Sequence, residues 1–180
     1  MKNVYVFLGD GFEEIEAITP IDFLRRAGVA VHTVSIHGQQ AVGSHGIQVQ
    51  TDTAGEGFVL PADADMVMFP GGPGVDALRT NACVKAVLAQ AAERGIYVAA
   101  ICAAPRLLQD AGLLQGKRVT AFPTTQGEFD GALFTGAPVE TDGNIITSRS
   151  AGTALAFAHA LAEALLGKDE ADAVLQSLYP

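Results

Sequence analysis

Short, wholly apolar runs that alternate with longer helical stretches constrain the fold of this chain more than any other feature. Residues 4–8, 66–69 and 96–101 are apolar throughout, which is typical of strands buried on both faces of a parallel sheet. Between them, residues 13–27 and 75–94 repeat apolar side chains at helical spacing. This alternation predicts an α/β fold in which helices cover both faces of a parallel sheet.

The remaining elements are predicted from turn residues and shorter patterns. We expect further strands at 29–36, 119–122 and 144–147, a hairpin within 38–53 that turns at 43–46, helices at 103–111 and 152–166, and a short helix before Tyr179. Pro20 is expected to bend the first helix, because proline removes one helical hydrogen bond. The helical stretch at 75–94 is expected to break near Thr80 and Asn81.

Composition and charge exclude several classes of protein. With 49% hydrophobic and 17% charged residues, the chain can bury a core, and its 180 residues fit one domain over 1–180 rather than a disordered chain. Eleven basic against twenty acidic residues give a net charge of −9, which disfavours nucleic acids and anionic lipid surfaces as partners. The longest apolar run, 96–105, has ten residues, whereas a membrane span needs about 20.

The N-terminus and the cysteines predict where the protein works. The apolar stretch at the start of the chain is too short for a signal peptide. Cys83 and Cys102 are too few for a disulfide framework, their spacing fits no metal motif, and the four histidines do not cluster. We therefore expect a cytoplasmic protein with free thiols and no metal.

Candidate chemistry converges at three strand ends. In open parallel sheets, ligands bind beyond the carboxyl ends of the strands, and unusual residues occur there at 9–16, 70–74 and 101–105. Cys102 comes directly after a buried strand and before a helix, among small alanines, which resembles a nucleophile elbow with sulfur in place of oxygen. The helix N-terminus is expected to stabilise the thiolate and lower its pKa. The alternative, an inert buried cysteine, stays open.

Three glutamates open the first helix. Glu13 and Glu14 are expected only to cap it, since carboxylates are favoured at the positive end of a helix. Glu16 lies on the apolar face, where desolvation would raise its pKa and let the protonated carboxyl donate a hydrogen bond to an anion. Glu16 is therefore the carboxyl that we expect to take part in chemistry.

Gly71 and Gly72 follow the strand at 66–69 and could direct backbone N–H groups at a developing negative charge. A simple glycine-rich turn is the alternative. Residues 72–77 also match the dinucleotide pattern G-x-G-x-x-A, but the next strand ends in Cys102 rather than in an acidic residue. Nucleotide binding is therefore a minor hypothesis.

Among the histidines, His45 is the candidate for function, because it lies in a glycine-flanked turn. We expect His32, His37 and His159 to be structural or solvated. Cys83 falls inside a helix and is expected to be a small core residue.

Five motifs occur in order along the chain: Gly-Phe-Glu-Glu-Ile-Glu at 11–16, Arg-Arg-Ala-Gly at 25–28, Pro-Gly-Gly at 70–72, Ala-Ile-Cys-Ala-Ala-Pro at 100–105 and Thr-Ser-Arg-Ser-Ala-Gly-Thr at 147–153. Together they resemble the DJ-1/ThiJ/PfpI family over nearly the whole chain. The Ala-Ala-Pro after Cys102 and the Phe-Pro-Thr at 122–124 are most similar to its bacterial YajL branch. The resemblance implies a flavodoxin-like three-layer α/β sandwich, related to the class I glutamine amidotransferases, and a homodimer.

The resemblance also implies roles for individual residues. Cys102 would be the nucleophile or the site of oxidation, and Glu16 the protonated partner that hydrogen-bonds the thiolate. Gly72 and the Ala103 backbone N–H would line an anion pocket, and His45 would lie near the site of the partner subunit. The ligand would be a small reactive carbonyl or an oxidant, and neither a metal nor an organic cofactor is expected.

One departure from the family pattern bears on activity. Several hydrolytic relatives carry a histidine just before the proline that follows the next strand, and Phe122 occupies that place here. Without a general base there, protease activity is not expected, and proton transfer in a glyoxalase reaction would fall to Glu16 or water. Ser150 and Ala151 stand where Gly-Pro is frequent, a milder change at a helix start.

Two functions follow from the resemblance. In the first, the Cys102 thiolate adds to methylglyoxal or a related adduct, giving a cofactor-free glyoxalase or deglycase of the carbonyl and oxidative stress response. In the second, Cys102 is a redox sensor that oxidises to sulfenate and sulfinate, with chaperone-like behaviour and no turnover. No residue supports the thiazole and thiamine association of the ThiJ name, which we treat as a legacy label.

Overall fold

Seven strands form one sheet at the centre of the protein, which a computed structural model describes over residues 1–179. Neighbouring strands are parallel, except for the antiparallel pair at one edge. In spatial order the strands are β10 (Val139–Asp142), β11 (Ile145–Ser148), β7 (Tyr97–Ile101), β6 (Met66–Phe69), β1 (Asn3–Leu8), β2 (Ala30–Ser35) and β5 (Thr53–Ala54). The predicted α/β architecture is confirmed.

Helices cover both faces of this sheet. They are α1 (Glu14–Arg26), α2 (Val75–Thr80), α3 (Ala82–Arg94), α4 (Pro105–Asp110), α5 (Ala154–Leu166) and α6 (Lys168–Ser177). Side chains alternate along β1: Val4, Val6 and Leu8 pack with α1, α5 and α6, whereas Tyr5 and Phe7 pack with α2, α3 and α4. Within residues 1–179, every helix is too short or too polar to cross a lipid bilayer.

The segment that follows α4 departs from the prediction of a strand at 119–122. Only β8 (Arg118–Val119) forms a ladder, and it pairs with β9 (Leu133–Phe134) in a separate two-stranded sheet. The Phe122 N–H donates instead to the Cys102 carbonyl at 2.8 Å. The predicted strand is therefore shorter than expected and lies outside the main sheet, because the Thr120 N–H donates to the Thr147 hydroxyl at 3.0 Å and the Phe122 N–H to the Cys102 carbonyl, so neither extends the ladder with β9.

Helix ends agree with the sequence to within a few residues. α4 begins at Pro105, two residues later than predicted, because proline fits the first turn of a helix, where no N–H is needed. α5 is preceded by a 3₁₀ turn at Ala151–Thr153. α1 runs unbroken through Pro20, so the bend at that residue stays a prediction. The predicted break between α2 and α3 occurs at Asn81, whose side chain caps α3.

The predicted hairpin is formed by β3 (Gln40–Val42) and β4 (Gln48–Gln50), which pair antiparallel. It packs against the segment that leads into α1: Gly43 forms an isolated bridge with Phe12, and the Ser44 N–H donates to the Phe12 carbonyl at 2.8 Å. The turn of the hairpin is therefore fixed beside the first residues of α1, close to one of the three strand ends.

Candidate active site

Cys102 occupies a sharp turn between β7 and α4. Its φ is +65°, a left-handed conformation that, among the non-glycine residues of the described chain, only Tyr179 shares. Its N–H donates to the Ser148 carbonyl at 2.9 Å, and its own carbonyl accepts from the Phe122 N–H at 2.8 Å. Such a conformation costs about 1–3 kcal/mol and persists where the surroundings fix it. The half-buried Cys102 thus stands at a turn with the geometry of a nucleophile elbow.

Glu16 reaches this turn from the first turn of α1. Its side chain is almost completely buried, at 1% exposure, and its Oε2 accepts a hydrogen bond from the Gly71 N–H at 2.9 Å. The Cys102 thiol and the Ala151 N–H lie close enough to stabilise the carboxylate, yet Oε1 has no hydrogen-bond partner of good geometry among residues 1–179. Burial outweighs these contacts and raises the pKa of Glu16 to about 7.

The Cys102 thiol and the Glu16 carboxyl affect each other's pKa. While Glu16 is ionised, burial and the adjacent Glu16 charge raise the pKa of Cys102 to about 12, although the Ala103 and Gly72 N–H groups act in the opposite direction. The expectation that the helix N-terminus lowers the pKa of Cys102 is wrong while Glu16 is ionised, because burial and the Glu16 charge outweigh the backbone N–H groups at the start of the helix. Two negative charges are not stable together in so buried a place, so the two groups titrate as a pair.

Gly71 and Gly72 form a cradle around the thiol that leaves no room for a side chain. A Cβ on Gly71 would lie 2.6 Å from the Glu16 Oε2 and 2.7 Å from the Cys102 Cβ. Gly72 has φ +98°, and a Cβ there would overlap the Gly11 carbonyl oxygen. These glycines therefore bring backbone N–H groups to the carboxyl and the sulfur.

The glycine-rich segment is closed to a nucleotide phosphate. The Gly74 N–H donates to the Gly11 carbonyl at 3.1 Å, and a Cβ on Gly74 would overlap the Asp10 carbonyl oxygen. The second glycine of the G-x-G-x-x-A pattern thus packs against the protein's own backbone. The minor hypothesis of nucleotide binding receives no support from this packing.

Phe122, which stands at the place discussed above for a histidine, lies beside Cys102. Its backbone binds the Cys102 carbonyl, and the residue is 40% exposed. A phenyl ring accepts no proton, so this side of the site supplies an apolar surface and no general base.

Comparison with known proteins identifies the family. A sequence model of the DJ-1/PfpI family matches residues 2–164. The chain belongs to the DJ-1/PfpI family. Protein dj-1beta of Drosophila melanogaster is 36% identical over 181 residues, which cover 98% of this chain and 96% of that protein. The deglycase TK1284 of Thermococcus kodakarensis is 32% identical over 157 residues, which cover 86% of this chain and 94% of that protein.

Solved structures of DJ-1/PfpI proteins share the fold. The oxidized DJ-1 of Toxoplasma gondii matches with a TM-score of 0.94 and 34% identity, covering 99% of this chain and 98% of that one. The flavodoxin-like fold implied by the sequence motifs is thereby confirmed. Placement closest to the YajL branch stays a prediction.

A glutamate–histidine pair lies next to this DJ-1/PfpI site, and sequence reasoning missed it. Glu14, expected only to cap α1, is buried and accepts from the His45 N–H at 2.6 Å and from the His45 Nδ1 at 2.8 Å. The Ser44 hydroxyl donates to the same carboxylate at 3.2 Å. Burial disfavours the Glu14 charge, but these hydrogen bonds outweigh burial and lower the pKa of Glu14 to about 2. Gly43, where a Cβ would overlap the Glu14 carboxylate, is the sequence signal for this contact.

The other candidate residues lie apart from the thiol. Glu13 caps α1 by accepting from the Glu16 N–H at 2.8 Å, as expected. Cys83 is half-buried in α3 and packs against the core. His32 stacks on Tyr5 with ring centroids 4.8 Å apart, in agreement with the structural role predicted for it. The structure therefore brings together Cys102, Glu16, Gly72 and Ala103, with His45 on the neighbouring hairpin turn.

Proposed function

We propose that this DJ-1/PfpI protein is a cysteine-dependent enzyme of the carbonyl stress response, which hydrolyses methylglyoxal or its adducts without a cofactor. The observation that carries the proposal is the buried Glu16 carboxyl next to the Cys102 thiol, beside the Gly72 and Ala103 N–H groups. The archaeal relative named a deglycase supports this type of reaction.

The reactive state is the one in which the proton lies on Glu16. In an ionised Glu16, the buried Oε1 would carry negative charge without a hydrogen-bond partner, which is unfavourable. Protonation of the carboxyl removes this charge and provides an O–H donor. The Gly72 and Ala103 N–H groups meanwhile stabilise the charge on the sulfur. Cys102 is then a thiolate, which is the nucleophilic form of cysteine.

The chemistry follows from this state. The thiolate attacks the aldehyde carbon of methylglyoxal, a C–S bond forms, and the carbonyl π electrons move to oxygen, which takes the proton from Glu16. The hemithioacetal then rearranges to a thioester, and water releases lactate and the free thiol. With a hemiaminal adduct, the thiolate attacks the carbon that bears nitrogen, the C–N bond breaks, and the amine leaves with the proton from Glu16, which gives the same hemithioacetal. One water is consumed overall, and no oxidant or reductant is required.

The alternative function is redox sensing at the same cysteine. A thiolate in this pocket would oxidise to sulfenate and then sulfinate, whose oxygens the Gly72 and Ala103 N–H groups would bind. The similarity to an oxidized DJ-1 structure favours this second candidate. Protection of client proteins, as a chaperone would provide, belongs to the same alternative.

We further propose that the protein works in the cytoplasm as a homodimer. Ile15 and Ile18 on α1 and Ile47 on the hairpin are large apolar side chains exposed on elements that pack together. Exposed apolar side chains on adjoining elements are typical of interfaces, and two-fold dimers are the commonest assemblies. His45 lies on the same hairpin, so the expected position near the partner's site remains part of this proposal.

The test compares lactate formation from methylglyoxal, without glutathione, by wild type, Cys102→Ala and Cys83→Ala. We expect turnover by wild type and by Cys83→Ala, and none by Cys102→Ala, because only Cys102 has the carboxyl partner and the N–H donors. Absence of lactate from folded, reduced wild type would reject the enzyme. Selective addition of two oxygens to Cys102 under mild peroxide, seen by mass spectrometry, would then support the sensor.

A further inference from the structure

Arg106 on α4 binds two carboxylates that belong to different segments of the chain. Its Nη1 donates to the Oδ1 of Asp76, in the first turn of α2, at 2.8 Å. Its Nε donates to the Oε2 of Glu128, at the end of the 3₁₀ segment Pro123–Glu128, at 2.9 Å. The Arg106 side chain is only 17% exposed, and a guanidinium presents its donors in a rigid, planar fork. One side chain therefore joins α2, α4 and the 3₁₀ segment.

Each of these three segments is connected to the thiol site by a backbone hydrogen bond. The N–H of the first residue of α2 donates to the Gly72 carbonyl at 3.2 Å, and the Arg106 N–H donates to the Ala103 carbonyl at 3.3 Å. Phe122 directly precedes the 3₁₀ segment, and its N–H donates to the Cys102 carbonyl at 2.8 Å. The segments that Arg106 joins are therefore the ones that carry the backbone around the sulfur.

The thiol site depends on how these segments lie relative to one another. The N–H groups of Gly72 and Ala103 favour the thiolate, but one precedes α2 and the other precedes α4. Their directions at the sulfur are therefore set only if the two helices keep a fixed relation. Cys102 itself has φ +65°, a conformation that persists only where the surrounding structure holds it.

A second ion pair joins the same two helices at their other ends. The Nε and Nη2 of Arg79, in the last turn of α2, donate to the carboxylate of Asp110, the last residue of α4, at 2.6 and 2.8 Å. This pair is separated from the thiol site by the length of both helices. It therefore offers a matched comparison for the pair at the near ends.

We propose that Arg106 is a positioning residue for the thiol, which holds α2 and α4 so that the N–H groups of Gly72 and Ala103 stay directed at the sulfur. Within residues 1–179, its guanidinium hydrogen-bonds only to the two carboxylates, so Arg106 acts through the backbone and not on the reacting atoms. The inference rests on the proposed function in that Cys102 is the reactive residue, but it does not require methylglyoxal to be the substrate.

The test is the rate of alkylation of Cys102 by iodoacetamide as a function of pH, in the Cys83→Ala background so that only one thiol reports. We expect Arg106→Ala to slow alkylation at neutral pH by about 10- to 100-fold, the usual effect of losing a group that orients a reacting one, and to raise the apparent pKa of the thiol. Arg106→Lys keeps the charge but not the fork, and we expect it to slow alkylation at least about tenfold. Asp110→Asn breaks the ion pair with Arg79, and we expect the wild-type rate.

A double variant shows whether Arg106 acts through its partner. If it does, adding Glu128→Gln to Arg106→Ala should slow alkylation no further, because the contact is already lost. Circular dichroism confirms that each variant is folded, and Arg106→Lys carries the test if Arg106→Ala does not fold.

The outcomes separate this inference from a structural role and from the proposed function. A wild-type rate in Arg106→Ala, or in Arg106→Lys, would overturn the positioning role, since the second result would mean that charge alone is sufficient. Equal slowing by Asp110→Asn would also overturn it, because any loss of helix contacts would then have the same effect. Absence of lactate from wild type would reject the methylglyoxal reaction, whereas the alkylation rates would still decide the role of Arg106.

Discussion

Gly72→Ala is expected to lower the free energy of unfolding by about 2–6 kcal/mol. The residue has φ +98°, and an L-residue held in such a conformation costs about 1–3 kcal/mol. A Cβ would also overlap the Gly11 carbonyl oxygen and approach the Glu13 nitrogen to 2.6 Å, and overpacking of this kind costs about 1–3 kcal/mol more. Urea denaturation followed by circular dichroism measures the difference.

Gly28→Ala is the control for this prediction. Gly28 has φ +77°, and a Cβ there would meet no atom within 4 Å. The control therefore carries the backbone strain without the overlap and is expected to lose about 1–3 kcal/mol. Equal losses in the two variants would contradict the close packing of the cradle against the loop before α1.

Gly71→Ala is expected to slow the reaction of Cys102 with aldehydes and alkylating agents by about 100-fold, the usual loss when a positioned acid–base group such as Glu16 is displaced. The new Cβ would lie 2.6 Å from the Glu16 Oε2, 2.7 Å from the Cys102 Cβ and 2.9 Å from the Ile101 carbonyl. The Glu16 carboxyl must then move away from the Gly71 N–H. In its new position the carboxyl can no longer exchange a proton with the Cys102 thiol. Stopped-flow alkylation and methylglyoxal turnover both report the change.

Gly127→Ala serves as the comparison for Gly71→Ala. Gly127 lies in the 3₁₀ segment after Phe122, and a Cβ there would meet no atom within 4 Å. We expect this variant to react at the wild-type rate. Wild-type reactivity in Gly71→Ala as well would mean that the contact between Gly71, Glu16 and Cys102 does not govern the thiol.

The buried strands and the position of the thiol site are predictable from sequence because they depend on local patterns. Runs such as Met66–Phe69 are apolar at every position, which only a strand covered on both faces requires. Cys102 among small alanines marks the turn where the sheet ends. The carboxyl ends of parallel strands meet at one edge, so the residues that follow them converge without further information.

Features that depend on contacts between distant segments were not predictable. The sequence predicts that Glu14 caps α1, because it lies in the first turn of a helix. In the folded protein, the hairpin turn brings His45 into hydrogen-bond distance of its carboxylate. The segment at 119–122 has the composition of a strand, but the Phe122 N–H is used by the Cys102 carbonyl. The pKa of Cys102 likewise depends on burial and on Glu16 more than on the helix that follows.

The central claim, that the shared proton lies on Glu16 and leaves Cys102 a thiolate, is tested most directly by titrating the ultraviolet absorbance of the thiolate. Cys83→Ala is the background, so that only Cys102 reports, and Glu16→Ala is added to it. We predict that the thiolate forms below the ordinary cysteine pKa of about 8.5, and that Glu16→Ala raises this apparent pKa by removing the donor. A thiolate that appears only far above that pH, with a pKa that Glu16→Ala lowers, would place the proton on Cys102 and contradict the account.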